Sequence, residues 1–430
     1  MGSMIHLSVG RLELDWGKNS GFTDHSALFQ VGDVTKVPYW YADEETPIDE
    51  ADIASLDRGY RLRIEYRDGM SKPLAQVVER IGLLGYTPCY ARREFHYLSQ
   101  LNSFDEQAFS FDQLAAALRA VDVEAVSADY SKSEGESFGR FFRREMADRL
   151  GLDRDTAFAV SEAMENFSPY ILLQMMADNP SAVDLPVNWQ FADVEYGGWA
   201  KRGEFAKRPD QANRFLIVTE GSSDANIIRH AIGLLKPHLA DFFDFADMNE
   251  GYPFTGTGNL FNFTKGLISI SIMNNIIVVY DNDAEGVFSY NRTSRLNLLS
   301  NMRVLKLPDL AAFESFDTVG PSGSHRTNIN GRGAAIECYL DAGAAPIVRW
   351  NNFHKELGVY QGELVGKTDV ARGFLGLKAL GDIAGYDTSR IEAVVEMIVN
   401  TCANMRESAR LMDIERQIET DFPPDQNPGA

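Results

Sequence analysis

The sequence predicts an α/β protein in which an α+β domain is followed by a Rossmann-like parallel sheet. The segments 215–219 (FLIVT) and 276–280 (IIVVY) are apolar throughout and alternate with helical stretches. This pattern is typical of parallel strands that are covered on both faces. Near the N-terminus, residues 5–9 and 12–16 instead alternate with period two around Gly10-Arg11, which predicts a β-hairpin.

The remaining elements complete the predicted domain organisation. Residues 60–66 alternate as a further strand, and a helix with one apolar face begins near Leu74. The charged stretch 195–213 has no clear period and is interpreted as a linker or exposed loop, whereas 391–405 shows a helical apolar stripe. The predicted regions are an N-terminal α+β domain at 1–108, a helical connecting region at 109–200, the parallel-sheet domain at 213–345, a helical C-terminal region at 346–420 and a disordered tail at 421–430.

Composition limits the possible partners. The 430 residues include 41 Lys plus Arg and 62 Asp plus Glu, which gives a formal charge of −21. This balance argues against a protein that coats nucleic acid by bulk charge, since such binding needs cations to displace counterions from phosphates. Two local basic patches, at 140–149 and 201–214, are interpreted mainly as solvated faces. No apolar run approaches the ~18 residues that cross a bilayer, and no signal-peptide pattern is present, so we expect a cytoplasmic protein without a membrane partner.

Acidic residues follow the two predicted strands directly. Glu220 comes after FLIVT, and Asp281 and Asp283 come after IIVVY. Ligands of open parallel sheets bind beyond the carboxyl ends of the strands, so neighbouring strands would place all three carboxylates in one crevice. Close carboxylates repel one another unless a cation neutralises them. Ligation by oxygen alone favours a hard ion, Mg²⁺ or Mn²⁺, and phosphate chemistry.

Two further acids are candidate metal ligands. Asp224 lies in the first turn of the helix after Glu220, and Glu337 lies in the segment AAIECYL. Asp224 has the alternative of simply favouring the positive end of its helix. Glu285 is interpreted as a first-turn acid rather than as a ligand.

Competing motifs fit less well. An EF-hand loop that started at Asp281 would need Glu at position 292, where the sequence has Arg292. The chain contains neither a GxxxxGK phosphate-binding loop nor a GxSxG nucleophile elbow.

The combination of strand-EGxSD-helix, a Gly-rich turn at Gly256-Thr257-Gly258 and strand-DxDxxG resembles the Toprim domain of topoisomerases, primases and a group of nucleases. The EGSSD form and the later IE-x-YL look closest to the OLD-like nuclease branch, in which extra acids build a two-metal site. The resemblance implies that Asp281, Asp283 and Glu337 hold one ion, and that Glu220 and Asp224 hold the other. It also makes Lys306, on the following strand, a candidate phosphate or transition-state contact.

The N-terminal segments LSVGRLEL, ALFQ and LAQVVERIGLLGYT resemble the N-terminal domain of HEPN/Toprim-associated proteins of bacterial anti-phage systems. HEPN ribonucleases use an Arg and a His four to six residues apart, whereas Arg92 and Arg93 lie too close to His96, so no such centre is predicted. The OLD resemblance implies that any ATP-driven control would come from a partner ATPase, since none is fused to this chain.

The sequence therefore predicts a cytoplasmic Mg²⁺-dependent Toprim endonuclease acting on nucleic acid, DNA in preference to tRNA, as a homo-oligomer. Two alternatives stay open. One is a toxin that cleaves tRNA or other RNA. It stays open because a metal site contacts the phosphate and makes little contact with the sugar, so the site residues do not distinguish DNA from RNA. The other is a non-catalytic module for nucleic-acid binding or assembly that retains the fold.

Overall fold

The protein folds as two compact units. In the computed structural model, the described residues are 2–43, 61–123, 138–246, 256–378 and 380–423. The first unit comprises Met1–Arg208 together with Arg406–Ala430, and the second comprises Pro209–Met405. Residues 424–430 of the predicted tail 421–430 lie outside the described residues.

An antiparallel sheet of five strands, in the order β2-β1-β5-β4-β3, forms the centre of the first unit. The predicted hairpin is confirmed as β1 and β2. Its alternating residues Ile5, Leu7, Val9, Leu12 and Leu14 are buried, whereas Trp16 near the end of β2 is exposed. The strands are β1 (Met4–Val9), β2 (Leu12–Lys18), β3 (Val34–Asp43), β4 (Arg61–Pro73) and β5 (Pro186–Gln190).

The central strand β5 corrects the prediction that 109–200 is a helical connecting region. β5 pairs with both β1 and β4, and its Trp189 is 1% exposed. The strand has only five residues, which is too short for its period to stand out among the surrounding helices. The first unit therefore continues to Arg208 instead of ending near residue 108.

Helices complete the first unit. The predicted linker 195–213 is partly packed, since Phe205 is buried and stacks on Phe191 with ring centroids 4.6 Å apart. The helices are α1 (Leu74–Leu83), α2 (Pro88–Leu101), α3 (Phe111–Ala120), α4 (Phe138–Phe141), α5 (Arg154–Glu165), α6 (Pro169–Met175), α7 (Ala192–Tyr196) and α8 (Arg202–Phe205). None of the helices in the described ranges is long and apolar enough to cross a membrane.

The second unit contains the predicted parallel sheet, and the α/β prediction is confirmed. Its strand order is β10-β8-β6-β7, with all neighbours parallel. The strands are β6 (Phe215–Thr219), β7 (Phe243–Phe245), β8 (Asn275–Tyr280) and β10 (Met302–Lys306), and the helices between them are α9 (Ser222–Leu235), α10 (Thr257–Ser269) and α11 (Ala284–Thr293).

A second sheet of this unit corrects the prediction that the chain is mostly helical from residue 346. It has the order β12-β11-β14-β15, and Gly358, with φ at +67°, lies in the turn that joins β14 to β15. The strands are β11 (Phe316–Gly320), β12 (Gly323–Thr327), β14 (Val348–His354) and β15 (Val359–Leu364). A short pair, β9 (Asn282–Asp283) with β13 (Gly333–Ala334), and the helices α12 (Lys367–Leu375) and α13 (Ser389–Asp421) complete the described elements relevant here.

Candidate active site

Glu220 and Asp281 lie together at the carboxyl edge of the parallel sheet. β6 and β8 are adjacent, and Thr219 at the end of β6 pairs with Val279 of β8. Both strands are largely buried and parallel, so the acids that follow them, Glu220 and Asp281, lie at the same edge of the sheet. Glu220 Oε1 accepts a hydrogen bond from the Asp281 N–H at 3.1 Å. The structure thus brings the two predicted acids into direct contact.

Asp224 comes to the same edge from the first turn of α9. Its Oδ2 accepts a hydrogen bond from the Gly221 N–H at 3.1 Å, which closes the start of the helix. This contact agrees with the structural role that its sequence position suggests. Asp224 also lines the cleft described below, so capping does not remove it from the candidate site.

Asp283 caps α11, and the spacing of DxDxxG explains how. Its Oδ1 accepts a hydrogen bond from the Gly286 N–H at 2.7 Å. A Cβ atom at position 286 would clash with the carbonyl oxygen of Asp281 and approach the Asp281 carbonyl carbon to 2.9 Å. Glycine is therefore required at position 286 for the turn to hold both aspartates in place.

Glu337 reaches the site through the short strand pair. β13 pairs antiparallel with β9, and Gly333 lies opposite Asp283. Just beyond β13, the Ile336 N–H donates to Asp281 Oδ1 at 2.9 Å. Glu337 follows and is only 8% exposed.

Burial and mutual repulsion raise the pKa values of all five acids. Desolvation raises the pKa of Glu220 to about 8, and the charge of Asp283 adds to this. Desolvation, assisted by Glu337, raises the pKa of Asp224 to about 7. The pKa of Asp281 lies well above its ordinary value, and those of Asp283 and Glu337 are also raised, in each case chiefly by desolvation. Such crowding of acids in a cleft is characteristic of functional sites.

Four of the five acids line one cleft of about 760 Å³: Asp224, Asp281, Asp283 and Glu337. The other walls come from β15 and α12. Gln361 of β15 donates to Asp283 Oδ2 and accepts from the Glu285 N–H at 3.1 Å.

Lys367 at the start of α12 brings a cation to the same cleft. Its Nζ pairs with Glu363 at 2.6 Å. That hydrogen bond is the main cause of a raised Lys367 pKa, and Glu337 and Asp281 contribute further. In turn, its charge opposes the rise in the pKa values of Asp224 and Glu337.

Gln361 and Lys367 were not predicted from the sequence. Both lie beyond the predicted domain end at residue 345, in a region interpreted as helical. Alternation in VYQGEL, with Gln361 and Glu363 on one face, was the signal that could have revealed β15.

Two residues singled out in the sequence are engaged outside the cleft. Lys306 Nζ bonds Asp309 Oδ1 at 2.7 Å and Asn282 Oδ1 at 2.8 Å, so it braces the loop between the two aspartates. It is not among the described residues that line the cleft. Glu285 accepts from Thr257 Oγ1 at 2.9 Å and pairs with His354, which agrees with its interpretation as a first-turn acid.

The donor set fits a hard divalent cation, although the side chains are not gathered into a tight cage. Among the described residues, no three His, Cys, Asp or Glu side chains meet closely enough to hold a metal ion by themselves. Mg²⁺ does not need such a cage, because it keeps several waters and is usually bound through one or two carboxylates together with substrate phosphates. All five acids offer oxygen, and neutralisation by a cation would relieve their repulsion.

Comparison with known proteins finds a similarity in the N-terminal part of the chain. Residues 1–213 match the family model described as HEPN/Toprim N-terminal domain 1, which ends close to the end of the first unit. The match supports a HEPN/Toprim-associated protein and indicates a nuclease-related, defence-type role. No curated protein and no solved structure matches the chain.

Proposed function

We propose that the second unit is a Toprim nuclease domain of the OLD-like branch and that the protein hydrolyses phosphodiester bonds of nucleic acid, DNA in preference to RNA, with Mg²⁺ or Mn²⁺. Its biological role would be that of an effector in bacterial anti-phage defence. The observation that carries the proposal is the convergence of five acids with raised pKa values at the carboxyl edge of a parallel sheet. A fold without a ligand there would gain nothing from this repulsion.

The acids would divide into two ligand groups. Asp281, Asp283 and Glu337 would hold one cation, and Glu220 with Asp224 would hold the other. Bound cations would supply Lewis-acid stabilisation of the scissile phosphate and activation of the attacking water. The Gln361 amide fixes the orientation of Asp283, and the Ile336 N–H fixes that of Asp281.

Lys367 is the better candidate than Lys306 for contact with the phosphate. Lys367 lines the cleft and is electrostatically coupled to Asp281 and Glu337. Lys306 is bound to Asp309 and Asn282, so its role in this proposal is to hold the loop that carries Asp281 and Asp283.

The test is cleavage of plasmid DNA, single-stranded DNA and total tRNA by the purified full-length protein in Mg²⁺, Mn²⁺ or EDTA. Asp281→Asn keeps the oxygen that accepts from Ile336 but removes the charge, so it should abolish metal-dependent cleavage. The matched control is Asp317→Asn on β11, whose half-exposed side chain pairs with Arg326 at 3.3 Å. This control should cleave like the wild type.

The outcomes separate the alternatives. Preferential cleavage of tRNA would favour an RNA-cleaving effector over a DNA nuclease, with the same residues in the active site. Nucleic-acid binding that Asp281→Asn leaves unchanged, with no cleavage of any substrate, would favour the non-catalytic module. A partner such as an ATPase would be indicated if cleavage appeared only after addition of the native cell extract and still required Asp281.

A further inference from the structure

A second cleft, of about 490 Å³, lies along α9 beside the acid cleft. On α9 it is lined by Asn226, Arg229, His230 and Gly233, which follow one another at the three- and four-residue spacing of a single helix face. The opposite wall is formed by the end of α12 and the residues after it, and it includes Lys378. We call this cleft the α9 groove.

The charge of the α9 groove is opposite to that of the acid cleft. Among the described residues that line it are Arg229 and Lys378, and none is acidic. Arg229 is oriented by Asn226 Oδ1 at 3.0 Å and lies over the Phe245 ring, 4.8 Å from its centroid. This local positive charge contrasts with the net charge of −21 for the whole chain.

His230 adds a polar atom without a partner. Its ring packs edge-on against Phe374, with centroids 5.2 Å apart. Its Nε2 is buried and has no hydrogen-bond partner among the described residues. A buried ring nitrogen of this kind is stabilised when a ligand or water supplies the missing bond.

The same two helices line both clefts. Ser223 and Asp224 of α9 and Arg372 of α12 line the acid cleft, and Leu375 lines both clefts. Along α9, the distance from Ser223 to Gly233 is about 15 Å at the rise of an α-helix. The two clefts therefore adjoin at Leu375, within the length of one helix.

We propose that the α9 groove binds the sugar–phosphate backbone of the strand whose scissile phosphate lies at the acids. This inference rests on the proposed nuclease function and identifies how the substrate is held. Arg229 and Lys378 contact phosphates, and Asn226 and His230 provide hydrogen bonds. No aromatic side chain other than the imidazole lines the described groove, so binding depends on the backbone and not on the base sequence.

The test measures binding separately from cleavage. Fluorescence anisotropy with two labelled single-stranded oligonucleotides of unrelated sequence is recorded in EDTA over a range of salt concentrations. For Arg229→Ala/Lys378→Ala, we expect weaker binding of both sequences and a salt dependence (log K against log salt) reduced by about 1.4, since each lost phosphate contact on a single strand removes about 0.7. The control Lys265→Ala/Arg295→Ala removes the same charges from exposed positions outside both clefts and should change neither quantity.

Cleavage kinetics distinguish failure of this inference from failure of the proposed function. If the groove binds substrate, the double variant raises KM and leaves kcat within about twofold of the wild type, whereas Asp281→Asn loses cleavage but still binds. If the double variant binds and cleaves like its control, the proposed role of the α9 groove is wrong, but the proposed nuclease function is unaffected. If the wild type cleaves no substrate but the double variant still loses affinity, nucleic-acid binding by the α9 groove is supported and the proposed hydrolysis is wrong. If the wild type binds neither oligonucleotide, the proposed role of the α9 groove is wrong.

Discussion

The two units bury charge in different ways. In the first unit, the fully buried Arg80 donates to the carbonyl oxygens of Ala27 at 3.0 Å and Phe29 at 2.7 Å. Lys72, which is 4% exposed, pairs with Asp33 at 2.9 Å. In the second unit, five acids crowd one edge of the sheet, and desolvation together with mutual repulsion raises their pKa values.

The difference separates structural charge from functional charge. The desolvation of a buried cation is offset only while its partners are in place, so removal of one partner is expensive. Crowded like charges destabilise a fold that holds no cation, and the proposed function assigns a bound cation to offset this repulsion. The following four predictions test this contrast.

The largest expected effect is on cleavage by the second unit. Asp281→Asn should lower kcat/KM on the order of a thousandfold, because stabilisation of transition-state charge by a metal is worth several kcal/mol. The initial rate of plasmid nicking in Mg²⁺ measures this loss. A rate within about threefold of the Asp317→Asn control would contradict it.

In the first unit, removal of the buried cation Arg80, which is paired with backbone carbonyl groups, should lower stability. Arg80→Met removes the donors to the buried Phe29 carbonyl and the partly buried Ala27 carbonyl, and it should lower the free energy of unfolding by about 2–4 kcal/mol. Urea denaturation followed by fluorescence measures the change. The exposed Arg149→Met provides the control and should lie within about 0.5 kcal/mol of the wild type. Equal effects of the two substitutions would show that Arg80 is not a structural cation.

Glu94 is an exception to matched charge among the described residues of the first unit. It accepts from the Ser168 N–H at 3.0 Å, but its Oε2 has no hydrogen-bond partner among the described residues, and desolvation raises its pKa to about 7. Between its ordinary value of 4.5 and 7, the folded state therefore holds the proton more tightly than the unfolded chain does. Stability should fall as pH rises through this window, by about 3 kcal/mol in total.

Glu94→Gln should remove that pH dependence. We expect little change at about pH 5 and a gain of up to about 3 kcal/mol at about pH 8, measured by urea denaturation. The exposed Glu162→Gln on α5 should change stability little at either pH. A loss of stability at high pH in Glu94→Gln would mean that the carboxylate is stabilised where it lies.

The smallest effect is expected from two glycines of the second unit. Gly286→Ala forces the Asp281 backbone to move, because the Asp281 carbonyl occupies the space of the added methyl group. It should lower the free energy of unfolding by about 1–3 kcal/mol and reduce kcat. Gly266→Ala on α10 meets no atom within 4 Å and should raise stability by about 1 kcal/mol. Changes of the same sign in thermal unfolding would contradict the assigned role of Gly286.

The acid-bearing edge of the sheet could be predicted from the sequence because the strands and the acids that follow them are adjacent in the chain. FLIVT and IIVVY are apolar throughout, so both strands and the position of the first polar residue after each could be inferred. The Ile-Glu motif made Glu337 a candidate, although its path into the site depends on the β9–β13 pair, in which each strand has only two residues.

Elements held by distant partners could not be predicted in the same way. β5 gains its strand conformation from β1 and β4, which lie more than a hundred residues earlier. Gln361 and Lys367 belong to the cleft because β15 pairs with β14 and α12 follows it. The alternation in VYQGEL indicates a strand, but it does not place that strand beside the acids. Gln361 and Lys367 were therefore missed, whereas the acids of the site were predicted.

The central claim is that the five crowded acids bind a divalent cation. It is tested most directly by the free energy of unfolding of the wild type and Asp281→Asn, each with EDTA and with Mg²⁺. We expect Asp281→Asn to be the more stable protein in EDTA, because one repelling charge is gone, and Mg²⁺ to stabilise the wild type in a concentration-dependent manner but not the variant. A wild type that is more stable than the variant in EDTA and does not respond to Mg²⁺ would contradict the claim.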